Sequence, residues 1–362
     1  MATHPPAEQV DAVILVGGQG TRLRPLTLSA PKPMLPTAGV PFLEHLLSRI
    51  RAAGMTHVVL GTSYKAQTFA EYFGDGSSFG LDIDYVVEEV PLGTGGAIRN
   101  VADRLRADTA MIFNGDILSG LDLTALLTTH RTVGADVTLH LVQVDDARAF
   151  GCVPTDPAGR VTAFLEKSEQ PPTNQINAGC YVFERSVIEQ IPAGRVVSVE
   201  RETFPGLLAA GAVVAGHVDS SYWLDLGTPS AFVTGSADLV RGIAPTMALP
   251  GPVGESLVLD GADVHPGAAI SGGTTIGRDT TVGEGAVVER SVVFDGARIG
   301  PGARVTSSVI GAGAHVAASA VVANAVIGDR VVVGENCELV GGIRVWPGVE
   351  LPAGSVRFSA DS

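Results

Sequence analysis

Three glycines fall within four residues, Gly17, Gly18 and Gly20, and are followed by Thr21-Arg22 and then by Lys32. Glycines let a chain turn sharply and press its N–H groups against a phosphate chain. Arginine and lysine nearby supply positive charge for the same phosphates. Neither the Gly-x-Gly-x-x-Gly pattern nor the Gly-x-x-x-x-Gly-Lys-Ser/Thr pattern is present. Acidic residues recur where apolar runs end: Glu88-Glu89 after Ile83 to Val87, Asp116 after Ala110 to Phe113, and Asp225 after Trp223-Leu224. Two aspartates suit Mg²⁺, a hard ion that takes few carboxylates and fills its shell with waters and phosphate oxygens. A phosphate oxygen is already nucleophilic, so phosphoryl chemistry here needs neither a covalent intermediate nor a general base. What it needs is alignment and charge screening.

The elements that must position these residues follow from periodicity. Residues 1–10 read as a loose leader and 11–16 as an apolar, mostly β-branched strand. Pro41 to Gly54 is predicted helical, with Phe42, Leu46 and Ile50 on one face. Strand His57–Leu60, helix Tyr64–Phe73, strand Ile83–Val87, helix Thr94–Leu105 and strand Ala110–Phe113 follow. Such alternation implies a parallel sheet with right-handed crossovers. Ligands bind beyond the C-terminal ends of its strands. The glycine loop, Glu88 and Asp116 all sit at such ends, so they are expected to line one cleft.

Later, Val161 to Leu165 and Cys180 to Phe183 read as strands, and Thr228 to Val240 as a helix. Pro245 to Pro252 reads as a linker. From about Val258 the chain turns aliphatic and repetitive. Ile270, Ile276 and Val282 are six residues apart, as are Ile299 and Val305, then Ile310, Val316 and Val322, then Ile327 and Val333. Many are followed by glycine. This hexapeptide period marks a left-handed parallel β-helix of about five coils. His265 and His315 lie in turn-like settings, and no arm follows that would build an acyl-carrier site, so the β-helix is read as structural.

The chain has 362 residues, 45 of them glycine, and a net charge of -14. That length suits two domains. The acidity argues against nucleic acid as a partner. Three scattered cysteines, Cys152, Cys180 and Cys337, form no disulfide or metal framework. The first ten residues carry no signal-peptide pattern, and no apolar run approaches a membrane span. A cytoplasmic protein without membrane or nucleic-acid partners is expected.

Taken together, Gly17 to Thr27 and Lys32-Pro33 resemble the signature of the sugar-1-phosphate nucleotidylyltransferases. Further segments resemble that family in order: Leu92-Gly93-Thr94-Gly95-Gly96, Asn114-Gly115-Asp116, Phe150-Gly151-Cys152-Val153, Glu166-Lys167, Asn177-Ala178-Gly179 and Trp223 to Pro229. The resemblance spans roughly residues 11–240. It implies an α/β fold: a Rossmann-like, mixed but mostly parallel sheet in a nucleotidyltransferase domain (1–244), a linker (245–257) and the β-helix (258–362). It further implies that Leu15, Gly17, Gly18, Gly20, Thr21, Arg22, Lys32, Glu88, Gly93, Thr94 and Asp116 bind the nucleotide. Gly151, Glu166, Lys167, Asn177 and Asp225 would bind the sugar phosphate. Arg22, Lys32, Asp116 and Asp225 would carry catalysis, with Asp116 and Asp225 holding Mg²⁺. Within the family the chain is similar to the short-type branch that joins GTP to mannose 1-phosphate, releasing pyrophosphate. Homo-oligomers, built through the β-helix, are expected.

Guanine offers two adjacent donors that one carboxylate accepts together, whereas thymine and uracil offer one donor between two acceptors. Glu88, or Glu89 beside it, therefore favours guanine. Two alternatives remain at this level. One is the same chemistry with thymidylyl or uridylyl transfer to glucose 1-phosphate. The other is a non-catalytic subunit that senses nucleotide sugars, against which stands the presence of Arg22, Lys32, Asp116, Lys167 and Asp225. Simpler roles compete at single positions: a helix N-cap for Asp116, a turn for Asp225, solvated surface for Glu166-Lys167.

Overall fold

The computed structural model describes residues 10–63, 65–166 and 169–356, apart from the Glu166 side chain. The leader before Val10, Tyr64 at the start of a predicted helix, and Lys167 lie outside the described residues. The chain divides into two compact units. One comprises residues 1–18 and 47–223, the other 19–46 and 224–362.

The first unit is built on a nine-stranded mixed sheet. Four parallel neighbours form one side of it, from the edge inward: Asp82–Val87, His57–Thr62, Val10–Leu15 and Thr109–Asn114. The ten-residue strand Gln175–Glu184 runs antiparallel beside Thr109–Asn114 and pairs onward with Val137–Gln143. The latter also pairs, in parallel, with Val214–Asp219. Val13, Val59 and Ile112 are fully buried and pack with Ile98, Tyr181, Phe183 and Phe204. This two-sided burial explains the unbroken apolar runs in the central strands.

Several elements differ from expectation. The strand foreseen over Val161 to Leu165 reduces to the pair Leu165–Glu166. Val161 instead closes a tight turn opposite Thr155, in which the Asp156 carboxylate accepts from the N–H groups of Ala158 and Arg160. The helix foreseen over Thr94 to Leu105 runs Gly93–Asn100 and passes into a 3₁₀ turn at Ala102–Arg104. A turn of π-helix covers Val199–Thr203.

In the second unit the repeats form three parallel sheets of six, six and five strands. Successive rungs stack Ile276, Val293, Ile310, Ile327 and Val345 in one inward column. All are buried, each contributing about 1.5–3 kcal/mol relative to exposure. Buried hydroxyls tie the coils together: Thr274 Oγ1 accepts from Ser291 N–H, Ser291 Oγ from Ser308 N–H, and Ser308 Oγ from Ala325 N–H. The same unit holds residues 19–46 and the helix Pro229–Val240, capped by the Thr228 hydroxyl.

Candidate active site

In the first unit the strand ends converge as the alternation implies. Val16 N–H donates to Gly61 carbonyl, Glu88 N–H to Thr62 carbonyl, and Gly115 N–H to Leu15 carbonyl. These bonds draw the loops that follow four different strands into one rim. Ser63 Oγ donates to Gly17 carbonyl at 2.5 Å, pinning the start of the glycine loop. A Cβ on Gly17 would lie 3.0 Å from that hydroxyl and 3.9 Å from Glu88 Oε2, whereas Gly18 faces open space. Leu15 is half-buried beneath the rim. Glu88 is half-buried while Glu89 is exposed. Partial burial raises the Glu88 carboxyl above its ordinary value, and a long hydrogen bond from Leu92 N–H opposes the shift only in part.

Asp116 follows the Asn114-Gly115 turn and is half-buried. It does not cap a helix. The next helix, Leu123–Val133, is capped by Asp122, whose carboxylate accepts from the N–H groups of Thr124 and Ala125.

The second glycine stretch has a structural duty. Gly95 and Gly96 N–H groups both donate to Val197 carbonyl. Cβ atoms at Gly93 and Gly95 would lie 2.6 Å from that carbonyl oxygen and 2.8 Å from Val197 Cγ1. The glycines thus let the segment around Val197 pack against the helix start. Thr94 Oγ1 accepts from Val199 N–H and donates to Glu200 Oε2, which Ser198 Oγ also approaches at 2.7 Å.

Gly151, Glu166 and Asn177 are neighbours in the sheet. Glu166 pairs with Gly151 and Cys152 with Ile176, which puts Asn177 one step from Gly151. Asn177 lies at a bulge, where the register shifts between Asn177 and Tyr181. Its Nδ2 donates to the Tyr181 hydroxyl and its Oδ1 accepts from Gly179 N–H. Trp223 Nε1 donates to Ala178 carbonyl at the same bulge, and its ring meets Phe150 edge-on at 5.6 Å.

The second unit holds a cationic cluster of its own. Gly20 takes a left-handed conformation with φ near +59°, suited to glycine. Its carbonyl accepts from Thr27 Oγ1 and from Leu23 N–H. Arg22 and exposed Thr21 follow on a 3₁₀ turn. Lys32, on another, is buried. Lys32 Nζ lies 3.5 Å from Asp225 Oδ1, and Arg22 Nη2 lies 3.8 Å from Asp225 Oδ2. Asp225 closes the strand Trp223–Asp225 rather than sitting in a turn. Its Oδ1 is buried and accepts no hydrogen bond. Held by an ion pair to Lys32 and by no hydrogen bond, this carboxylate oxygen keeps lone pairs that a metal ion could take. No group of three or more His, Cys, Asp or Glu converges among the described residues, so an all-protein metal cage is absent there.

Sequence reasoning singled out Gly17, Glu88, Arg22, Lys32 and Asp225 but passed over Ser63 and Tyr181, which hold Gly17 and Asn177. Only their positions at a strand end and a bulge could have flagged them.

The first unit thus presents a strand-end rim and the second an Arg-Lys-Asp cluster, and comparison gives the class directly. The profile of the nucleotidyl transferase family matches residues 11–242, and that of the GMPPB C-terminal domain matches residues 252–355. The chain belongs to the nucleotidyl transferase family. It is 64% identical over 362 residues, all of both chains, to the mannose-1-phosphate guanylyltransferase of Mycobacterium tuberculosis. It is 35% identical to mannose-1-phosphate guanylyltransferase 1 of Arabidopsis thaliana, over 71% of this chain and 73% of that one. Among solved structures, HddC from Yersinia pseudotuberculosis complexed with GMP-PN is similar, with a TM-score of 0.56 and 30% identity. It covers 64% of this chain and 99% of its own.

Proposed function

We propose that the chain transfers the guanylyl group of GTP to α-D-mannose 1-phosphate, releasing pyrophosphate and forming GDP-mannose. A sugar-phosphate oxygen attacks the α-phosphorus, the bond to the β-phosphate oxygen breaks, and pyrophosphate departs with the electron pair. The observation that carries this reading is the cluster of Arg22, Lys32 and Asp225, whose Oδ1 is ion-paired but accepts no hydrogen bond. Full-length likeness to a guanylyltransferase supports the choice of substrates.

In this reading the loop Gly17 to Thr21 holds the triphosphate through backbone N–H groups, and Arg22 and Lys32 neutralise the departing pyrophosphate. Glu88 accepts the two adjacent donors of guanine. Leu15, Gly93 and Thr94 shape the nucleotide side. Gly151, Glu166, Lys167 and Asn177 receive the sugar phosphate. Asp116 and Asp225 are the ligands assigned to Mg²⁺, which when bound screens the charge between the two anionic reactants. Residues 1–244 act as the catalytic part, 245–257 as a linker and 258–362 as the β-helix, through which copies associate. The three unpaired, buried cysteines suit a reducing, cytoplasmic setting, and no helix among the described residues is long and apolar enough to cross a membrane.

Asp225→Asn tests the assignment. Turnover of GTP with mannose 1-phosphate should fall by about 10²–10³ while the far-ultraviolet spectrum and melting temperature stay near those of the parent. Unchanged turnover would remove Asp225 from the site.

A further inference from the structure

We infer that the β-helix is a working part of the phosphate site: its outer face holds the Arg22–Arg24 loop in place, and Arg344 is the positioning residue that clamps it. The inference rests on the proposed phosphate role of Arg22 but stands on contacts within a single unit of the chain.

A β-helix strand alternates inward and outward side chains, and its outward positions are ordinarily wet. One outward column here is not. Register places Thr275, Val292, Val309, Val326 and Arg344 one above another on successive rungs. Val292, Val309 and Val326 are 2%, 0% and 3% exposed, as dry as the inward column. What covers them is the loop that carries Arg22 and Lys32. Leu23, Leu26 and Leu35 form one cluster with these valines, with Phe294, and with Phe232 and Val233 of the helix after Asp225. Leu23 lies between Arg22 and Arg24, so the residue anchored in the β-helix is the neighbour of the proposed phosphate ligand.

Both ends of the column carry polar ties. At one end Thr275 Oγ1 lies 3.4 Å from Ser236 Oγ, and Ser236 Oγ accepts from Ala38 N–H at 3.0 Å. At the other, Arg344 Nη1 donates to Arg22 carbonyl at 2.7 Å and Arg24 carbonyl at 2.9 Å. A guanidinium bridging two carbonyls across one turn fixes the backbone from which the Arg22 side chain departs. It also adds positive charge beneath a loop proposed to meet a triphosphate. Leucine burial alone would seat the loop, whereas the arginine sets the angle of its turn. Positioning of this kind matters because small misplacements of a phosphate-binding cation cost alignment in the reaction.

Full-length Arg344→Ala and Arg344→Lys variants provide the test, read by hydrogen exchange and by steady-state kinetics. In Arg344→Ala, the Leu23 and Arg24 amides, which donate to Gly20 and Thr21 carbonyls, should exchange at least about tenfold faster while amides of the coils keep their protection. The kcat/KM for GTP should fall about tenfold, with KM for mannose 1-phosphate within about twofold of the parent. Lysine, whose ammonium can also donate to two carbonyls from one nitrogen but sits on a more flexible stem, should restore part of both. Unchanged exchange at Leu23 and Arg24 would overturn the inference. So would a loss explained by a lower melting temperature with loosening throughout the coils. Should the parent release no pyrophosphate from GTP, the functional reading fails, and the exchange result still decides whether the clamp exists.

Discussion

Gly227→Ala separates the stability of the Arg22 cluster from its use. A Cβ at Gly227 would overlap Arg22 Nη2 and lie 2.9 Å from Asp225 Oδ1. Something must shift, and the cheapest group is the guanidinium, the end of a flexible side chain that is 65% exposed. The Arg22–Asp225 pair is correspondingly screened, and its loss costs at most about 1 kcal/mol. In a protein of this size that lowers the melting temperature by no more than about 4 °C. The effect on activity should be far larger. A charge-assisted hydrogen bond to phosphate is worth about 1.5–3 kcal/mol, which is about 10- to 150-fold in rate. Thermal unfolding and pyrophosphate release from GTP, measured on the same preparation, give both numbers. Full activity in the folded variant would show that Arg22 need not occupy its observed place. A drop of ten degrees would show that the guanidinium cannot move aside cheaply.

Other perturbations have equally definite outcomes. Glu88→Gln should cut kcat/KM for GTP by about 10–100-fold and narrow its margin over UTP, because an amide cannot accept both guanine donors. Gly115→Ala should destabilise by about 1–3 kcal/mol in urea titration, since its Cβ would fall 2.5 Å from Val16 Cγ1 and 2.9 Å from Leu15 carbonyl oxygen. The buried Asp11–His57 pair, at 2.7 Å, governs a pH dependence. Burial opposes the His57 imidazolium, yet hydrogen bonds from it to Asp11 and Asp84 outweigh this and raise its pKa, with nearby Arg106 opposing. Burial likewise opposes the Asp11 carboxylate, but His57 and the N–H groups of Ala107 and Arg106 lower its pKa. The histidine's contribution is complete below 6.5 and fades as pH rises through the raised value. That of Asp11 is complete above 3.8 and fades as pH falls through the lowered value. The parent's advantage over His57→Gln in denaturant midpoint should therefore be greater at pH 5 than at pH 9.

Much of this was legible in the chain because it is local. Strand ends follow from apolar runs, so Gly17, Glu88 and Asp116 could be set on one edge. The six-residue period announced the coils. Positions whose meaning depends on distant partners stayed hidden. Arg344 and Arg22 are 322 residues apart, and nothing in either segment names the other. The outward valines carry the same residue type as the inward ones, so their burial shows only once the loop is seen to cover them. Gly95 and Gly96 suggested a ligand, but a Cβ there would first meet Val197 Cγ1 at Gly95, and the Arg195 carbonyl and Leu92 Cβ at Gly96. Val161 to Leu165 has strand-like composition, yet the Asp156 turn beside it decides the backbone.

The central claim is the identity of the product. The protein should be supplied with equimolar GTP, ATP, UTP and dTTP, with mannose 1-phosphate and glucose 1-phosphate, and with Mg²⁺, and its nucleotide sugars weighed by mass spectrometry and resolved by chromatography. GDP-mannose should dominate, and omission of Mg²⁺ should abolish it. A uridylyl or thymidylyl glucose as the main product, or no nucleotide sugar at all, would contradict the account.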